Sequence, residues 1–188
     1  SFFGKATTPL FLSFESVSSI QLPITGASNA TIYWGDASEG TYTSGDTKTY
    51  SSSGNYTITI YGTDGSNNAS ATAFGNASGW TGNSTLLAVN TLNKSTWGLT
   101  GLTSLSGAFS GATNLVSVPK NIPSTITDIS SMFKDATSFN QAIRGWMNNT
   151  SNITTMASCF NGATAFNKNI RYWSVEASAT LTNMFNGA

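Results

Sequence analysis

The chain contains no histidine, one cysteine and very little charge. Without histidine it lacks the usual general base near neutral pH, any Ser–His or Cys–His nucleophile pair, and the commonest metal ligand. A single thiol, Cys159, excludes an intrachain disulfide. Charged residues make up 9% of the sequence, against about 25% in ordinary globular proteins. Eight Lys and Arg are spread over 188 residues and balanced by eight Asp and Glu. They form no basic run, so no nucleic-acid partner is expected, and contacts should vary little with salt. No apolar stretch approaches the roughly 18 residues of a membrane helix, so no membrane insertion is expected. The longest, Leu10-Phe11-Leu12-Ser13-Phe14, is strand-sized. The first residues, Ser1-Phe2-Phe3-Gly4-Lys5, carry none of the parts of a secretory signal. Either a signal has been removed, or only the initiator Met was lost. The second case would suit a virion component assembled inside the cell.

What is present argues for a fold. Apolar residues reach 39%, aromatics 12%, and the net charge is zero, the opposite of a disordered chain. Residues from about Leu10 to Ser70 read as β-structure. Ala30-Thr31-Ile32-Tyr33-Trp34 and Tyr56-Thr57-Ile58-Thr59-Ile60-Tyr61 are rich in β-branched and aromatic residues. Gly35-Asp36, Ser44-Gly45-Asp46, Ser53-Gly54-Asn55 and Asp64-Gly65 punctuate them as turns. Short strands at this spacing predict a small β-sandwich over residues 1–75. Residues 66–85 are rich in Ser, Asn and Gly, with part of them open to reading as a strand that enters the second domain, and residues 76–100 form the transition and solenoid entry.

Residues 101–188 hold about 3.5 copies of one unit. The copies align on Phe109, Phe133, Phe160 and Phe185. Four residues before each stands Leu105, Ile129, Met156 or Leu181, and one before stands Ala108, Met132, Cys159 or Met184. Three after stands Ala112, Ala136, Ala163 or Ala188. A supersecondary unit repeated at this period predicts a solenoid, in which no unit buries its apolar face alone. The run Leu102, Leu105, Phe109, Ala112, Leu115 recurs at 3, 4, 3, 3, which predicts a short helix in each unit. Ile143-Arg144-Gly145-Trp146 and Ile170-Arg171-Tyr172-Trp173 read as single rungs of a parallel sheet. The expected repeat core is Leu105, Phe109, Ile129, Phe133, Phe139, Trp146, Met156, Phe160, Phe166, Trp173, Leu181 and Phe185. The sequence stops at Ala188, in mid-repeat. Leu181, Met184 and Phe185 would then present an apolar end to water, and burial against a neighbouring subunit is expected.

The stretch Ser131-Met132-Phe133-Lys134-Asp135-Ala136-Thr137-Ser138-Phe139-Asn140-Gln141 resembles the BspA-like leucine-rich-repeat proteins, whose repeat reads close to MFxGATSFNQDIxxWDVSNVTNM. Cys159-Phe160-Asn161-Gly162-Ala163-Thr164-Ala165-Phe166-Asn167 is a second match, and Met184-Phe185-Asn186-Gly187-Ala188 begins a third. Upstream, Trp34-Gly35-Asp36, Tyr50 and the run Ser53 to Ile60 are similar to a PKD-like β-sandwich, which commonly precedes such repeats. The resemblance implies an α+β chain, a PKD-like β-sandwich followed by a short BspA-like leucine-rich-repeat solenoid. It also implies adhesion or surface display with no enzymatic activity. The family's Asp before its rung is Ala142 and Asn169 here, and its Trp-Asp is Trp146-Met147 and Trp173-Ser174.

Individual residues carry weak chemical signals beside plainer structural ones. Cys159 shares its repeat position with Ala108, Met132 and Met184, so it reads as a core thiol rather than a nucleophile. Asp36 reads as a turn former rather than one of a carboxylate pair. Asp64-Gly65-Ser66-Asn67 has too few acidic ligands for a calcium loop. Tyr42, Tyr61 and Tyr172 could stack on sugars, against a default of packing on a sheet. Asn-X-Ser/Thr occurs nine times, and composition accounts for most occurrences, so the sites matter only in a eukaryotic secretory host. No catalytic residue, metal or cofactor is expected. Two functions follow. One is an adhesion or recognition module on a cell surface or outside the cell, binding a host-surface protein or glycan. The other is a structural subunit of a virion or an extracellular filament, with other protein subunits as partners.

Overall fold

The computed structural model describes residues 9–62, 69–91 and 97–188. Its strands are β1 (Leu10–Gln21), β2 (Ile24–Thr25), β3 (Ala30–Tyr33), β4 (Glu39–Thr41), β5 (Thr47–Gly62), β6 (Ala69–Ser70), β7 (Ala73–Phe74), β8 (Leu86–Thr91) and β9 (Leu99–Thr100). Among the described residues, helix is limited to short 3-10 segments at Asn83–Thr85 and Arg144–Asn149. The chain is thus mostly β, where α+β was expected.

The N-terminal part is an antiparallel sheet in the order β4-β3-β5-β1-β8. Strand β1 buries Leu10, Leu12 and Phe14 and leaves the residues between them partly exposed, the alternation of a strand with one covered face. At Glu15–Ser16 the register against β5 shifts, with Ser16 at a left-handed φ of 55°. This bulge lets Val17 and then Ile20 return to the core. Ile32, Ile58 and Ile60 face them from β3 and β5 and are fully buried.

Gly35 leaves β3 at φ 85°, and a Cβ there would stand 2.8 Å from the Thr57 carbonyl oxygen. Only glycine fits both demands. Asp36 then accepts from the Ser38 N–H at 3.1 Å and pairs with Lys48 Nζ at 2.5 Å.

The two halves are hydrogen-bonded to one another. Strand β8 lies in the stretch read as a transition, yet it pairs with β1. Strand β6 pairs in parallel with β9. Strand β7 pairs antiparallel with β2, while its Ala73 bridges in parallel to Ser104.

From Ser104 the parallel bridging continues through Asp128, Thr155 and Thr180, one residue per unit. Each is five residues before a repeat Phe. These are the parallel rungs, and they replace the ones expected after Ile143 and Ile170. Arg144–Asn149 is instead a 3-10 segment, and Trp173 closes a turn by donating to Ile170.

The helices expected from the 3, 4, 3, 3 spacing are also corrected. Each is a pair of tight turns, closed in the first unit by Ala108→Leu105 and Ala112→Phe109 N–H···O bonds of 3.0 Å. Two residues before each Phe stand Gly107, Ser131, Ser158 and Asn183, with φ between 53° and 65°. Two after stand Gly111, Asp135, Gly162 and Gly187, with φ between 56° and 75°. A left-handed residue on either side of the Phe breaks any right-handed helix. The turns return side chains to one face every three or four residues, which is why the spacing mimics a helix.

Candidate functional site

The interior of the repeat region is a set of columns. Phe109, Phe133, Phe160 and Phe185 stack with ring centroids 5.5, 5.3 and 5.5 Å apart. Phe139 lies 4.1 Å from Phe133 and Phe166 4.2 Å from Phe160, and these two stack on each other at 5.9 Å. Trp146 and Trp173 form a third column at 5.9 Å. Leu105, Ile129 and Met156 fill the fourth, fully buried. Cys159 is buried between coils, and burial pushes its thiol pKa up.

Backbone hydrogen bonds lock the columns in register. In the coils of Phe109, Phe133 and Phe160 the N–H groups at positions −4, −2, 0 and +2 from the Phe donate to the next coil at 2.7–3.1 Å. At the upstream end the first coil's carbonyls need other donors. The Phe74 N–H reaches Ser104 O at 3.1 Å. The Trp80 indole N–H reaches Ala108 O at 2.9 Å, and Asn83 Nδ2 reaches Ser110 O at 2.5 Å. Residues 74–83 therefore cap the array. The sequence offered no signal for this, because Trp80 and Asn83 lie outside the repeat pattern. In the last described coil, Met184 is buried, whereas Leu181 is 46% and Phe185 49% exposed.

The outer surface carries columns too. Thr127 Oγ1 donates to Thr103 O at 3.3 Å, and Thr154 Oγ1 to Thr127 O at 3.2 Å. Gln141 clamps two coils, accepting from the Val118 N–H and donating to its carbonyl at 2.8 and 3.0 Å. Trp146 and Trp173 donate their indole N–H groups to Pro119 O and Ile143 O of the preceding coils. Those bonds anchor the backbone just before Lys120 and Arg144, and the next position along recurs. It is eleven residues after the Phe in each unit, and it holds Lys120, Arg144 and Arg171, all exposed.

Read along the chain, these cations were scattered; the coils bring them into one file. Tyr172 contacts the last two, with the Arg144 and Arg171 guanidinium carbons each 4.4 Å from its ring centre. Arg171 also donates to the Tyr172 hydroxyl. Beside the file, a groove of about 610 Å³ separates the loops from β8.

The remaining sequence candidates separate clearly. Tyr42 and Tyr61 are buried, and the Tyr42 hydroxyl donates to Leu22 O at 3.1 Å, so neither offers a ring to a ligand. Tyr172 is 40% exposed. Asp36 is held by Lys48 and Ser38, whose hydrogen bonds lower its pKa to about 2. The Asp64 to Asn67 stretch lies outside the described residues. Among the described residues no cluster of three or more His, Cys, Asp and Glu could hold a metal ion. No helix among them is long and apolar enough to cross a membrane.

Residues 103–188 match the model of one family, described as Mycoplasma protein of unknown function, DUF285. The family is related to leucine-rich-repeat-like sequences, and the matched span begins one residue before the first parallel bridge at Ser104. No curated protein and no solved structure matches the chain. The DUF285 region and the antiparallel sheet are therefore the two parts from which function has to be argued.

Proposed function

We propose that the DUF285 region is a short BspA-like solenoid, that the sheet before it is a PKD-like sandwich, and that the pair acts as a non-enzymatic recognition module displayed on a surface. The observation that carries this reading is the in-register stacking of outward columns on a rigid interior. Thr103, Thr127 and Thr154 repeat on one line, and Lys120, Arg144 and Arg171 on another. Backbone bonds hold the roots of the threonine line, and indole bonds to Pro119 O and Ile143 O anchor the chain beside Lys120 and Arg144, so less ordering is left to be done on binding. The sheet caps one end and shields its hydrogen-bonding edge. The test is binding of the full chain to an array of host-surface glycans and matrix proteins. Saturable binding that vanishes when the chain is thermally unfolded is the expected result. An absence of binding to every component would refute it.

A second reading, a structural subunit of a virion or of an extracellular filament, is favoured by the surface chemistry: charged residues are 9% of the sequence and the net charge is zero, so little self-repulsion opposes packing of copies against one another. Sedimentation velocity over a hundredfold concentration range tests it. Association is expected, and a strictly monomeric chain sinks it.

A further inference from the structure

We infer that Lys120, Arg144 and Arg171 bind a linear polyanionic glycan lying along the repeat axis; the inference rests on the recognition reading above and names its ligand class.

Three observations converge. The cations occupy one register in three successive coils, and the ring stack sets the coil rise at 5.3–5.5 Å. Their backbone roots thus recur at about the spacing of neighbouring strands. Like charges on adjacent strands repel, so the file costs the free protein something and a polyanion removes that cost. Among the described residues no carboxylate pairs with the file: the one ion pair there is Lys48–Asp36, on the sheet.

The guanidinium groups are also held in place. Tyr172 receives Arg144 and Arg171 against its ring and takes a hydrogen bond from Arg171. A planar donor fork fixed in this way suits carboxylate or sulfate oxygens.

The groove supplies the third element. Asn90, Thr91, Ser117 and Gln141 line it beside Lys120 and Arg144. Hydroxyls and amides next to cations fit a ligand that carries hydroxyls next to anions, which is an acidic saccharide. Nucleic acid fits less well. Duplex binders commonly neutralise 6–10 phosphates, against three cations here, and Tyr172 is already engaged by guanidinium rather than free to stack on bases. An acidic peptide fits less well too, because the apolar lining residues Val118 and Pro119 are buried and Ala142 exposes only a methyl group, which leaves no pocket for an anchor.

The experiment uses the full chain against four soluble probes: dextran sulfate, polygalacturonate, neutral dextran and poly-glutamate, with a single-stranded oligonucleotide as a fifth. Binding is measured from 25 to 400 mM salt. The wild type is expected to bind dextran sulfate and polygalacturonate but not dextran. Its log affinity should fall with log salt at a slope of about 2–3, from roughly 0.7–0.9 per neutralised charge. The variant K120Q/R144Q/R171Q is expected to lose at least tenfold in affinity and most of the slope. K134Q/K168Q, which removes cations outside the file, is expected to lose less than threefold. Circular dichroism checks each fold, and the single variant R171Q carries the test should the triple variant unfold. Equal binding by wild type and triple variant overturns the inference, as does tighter binding of the oligonucleotide or poly-glutamate. Should the wild type bind none of the polyanionic glycans yet bind another component of the surface array, this inference falls and the recognition reading stands. Should it bind nothing at all, both fall.

Discussion

Replacing Ser158 by glycine should stabilise the protein, and the sign of the effect separates two accounts of the repeat. Ser158 stands two residues before Phe160 with φ 56°, and its N–H donates to Thr182 O at 2.8 Å. A non-glycine residue in the left-handed region carries a cost of roughly 1–2 kcal/mol. Glycine removes that cost and adds about 0.5–1 kcal/mol of chain entropy in the unfolded state. The net expectation is a gain of about 0.5–1 kcal/mol, or roughly 1–4 °C in Tm for a chain of this size. Gly107 already occupies the equivalent position in the first unit, so the backbone accepts it. Ser158→Val should instead lose stability, since a β-branched residue is a true outlier at positive φ. Were the segment a helix, the serine-to-glycine substitution would lose about 0.5 kcal/mol. Urea unfolding gives the answer from the midpoint, provided the slope m is unchanged. A glycine variant less stable than wild type would refute the turn geometry.

Four further outcomes are expected. Phe160→Ala opens a cavity between Phe133, Phe166 and Phe185 and should cost about 3–5 kcal/mol in urea unfolding. Cys159 should react with a thiol reagent only as fast as the fold opens, because it is fully buried; rapid labelling of the native protein would contradict the packing. Trp80→Phe leaves the buried Ala108 carbonyl without its indole donor and should cost roughly 1–3 kcal/mol, read from the same unfolding assay. The Asp36 carboxyl titrates at about 2 in the fold, against an ordinary 3.8. A lowered folded pKa contributes stability that is fully present above the unfolded value and lost as pH falls from about 4 through about 2. Lys48→Gln should therefore flatten the stability profile in that window, and an unchanged profile would show the pair to be inert.

The core of the repeat region was legible in the sequence because burial there depends on side-chain identity at fixed offsets. Phe109, Phe133 and Phe160 are interior for the same reason that they align. Backbone geometry was not legible in the same way. A 3, 4, 3, 3 recurrence is produced equally by a helix and by paired turns, and the difference lies in the sign of φ at Ser131, Asp135, Ser158 and Asn183. Glycines at 107, 111, 162 and 187 mark these same positions. Comparing copies two residues either side of each Phe could have exposed the turns. The cation file was hidden for a simpler reason. Lys120, Arg144 and Arg171 are 24 and 27 residues apart, distant until the coil period is applied to surface positions as well as apolar ones. Strand β8 escaped notice because its partner, β1, lies some seventy residues earlier, and pairing of that range leaves no local mark.

The direction of the backbone ladder explains why a sheet stands where it does. Around each Phe, donors point toward the next coil and acceptors toward the previous one. The upstream end of such an array therefore shows bare carbonyls, and buried carbonyls without donors are costly. A cap for that end must bring N–H groups. The chain supplies one from the backbone at Phe74, one from the Trp80 indole and one from the Asn83 amide. These three reach it from a segment braced on both sides, since β7 pairs with β2 and Trp80 packs edge-on against Phe14 and Phe74. The donors are thus fixed by the sheet's own core. On this argument the sheet is part of the repeat's structure as much as a neighbour of it, and loosening the Phe14–Trp80–Phe74 cluster should be felt first in the coil that contains Phe109.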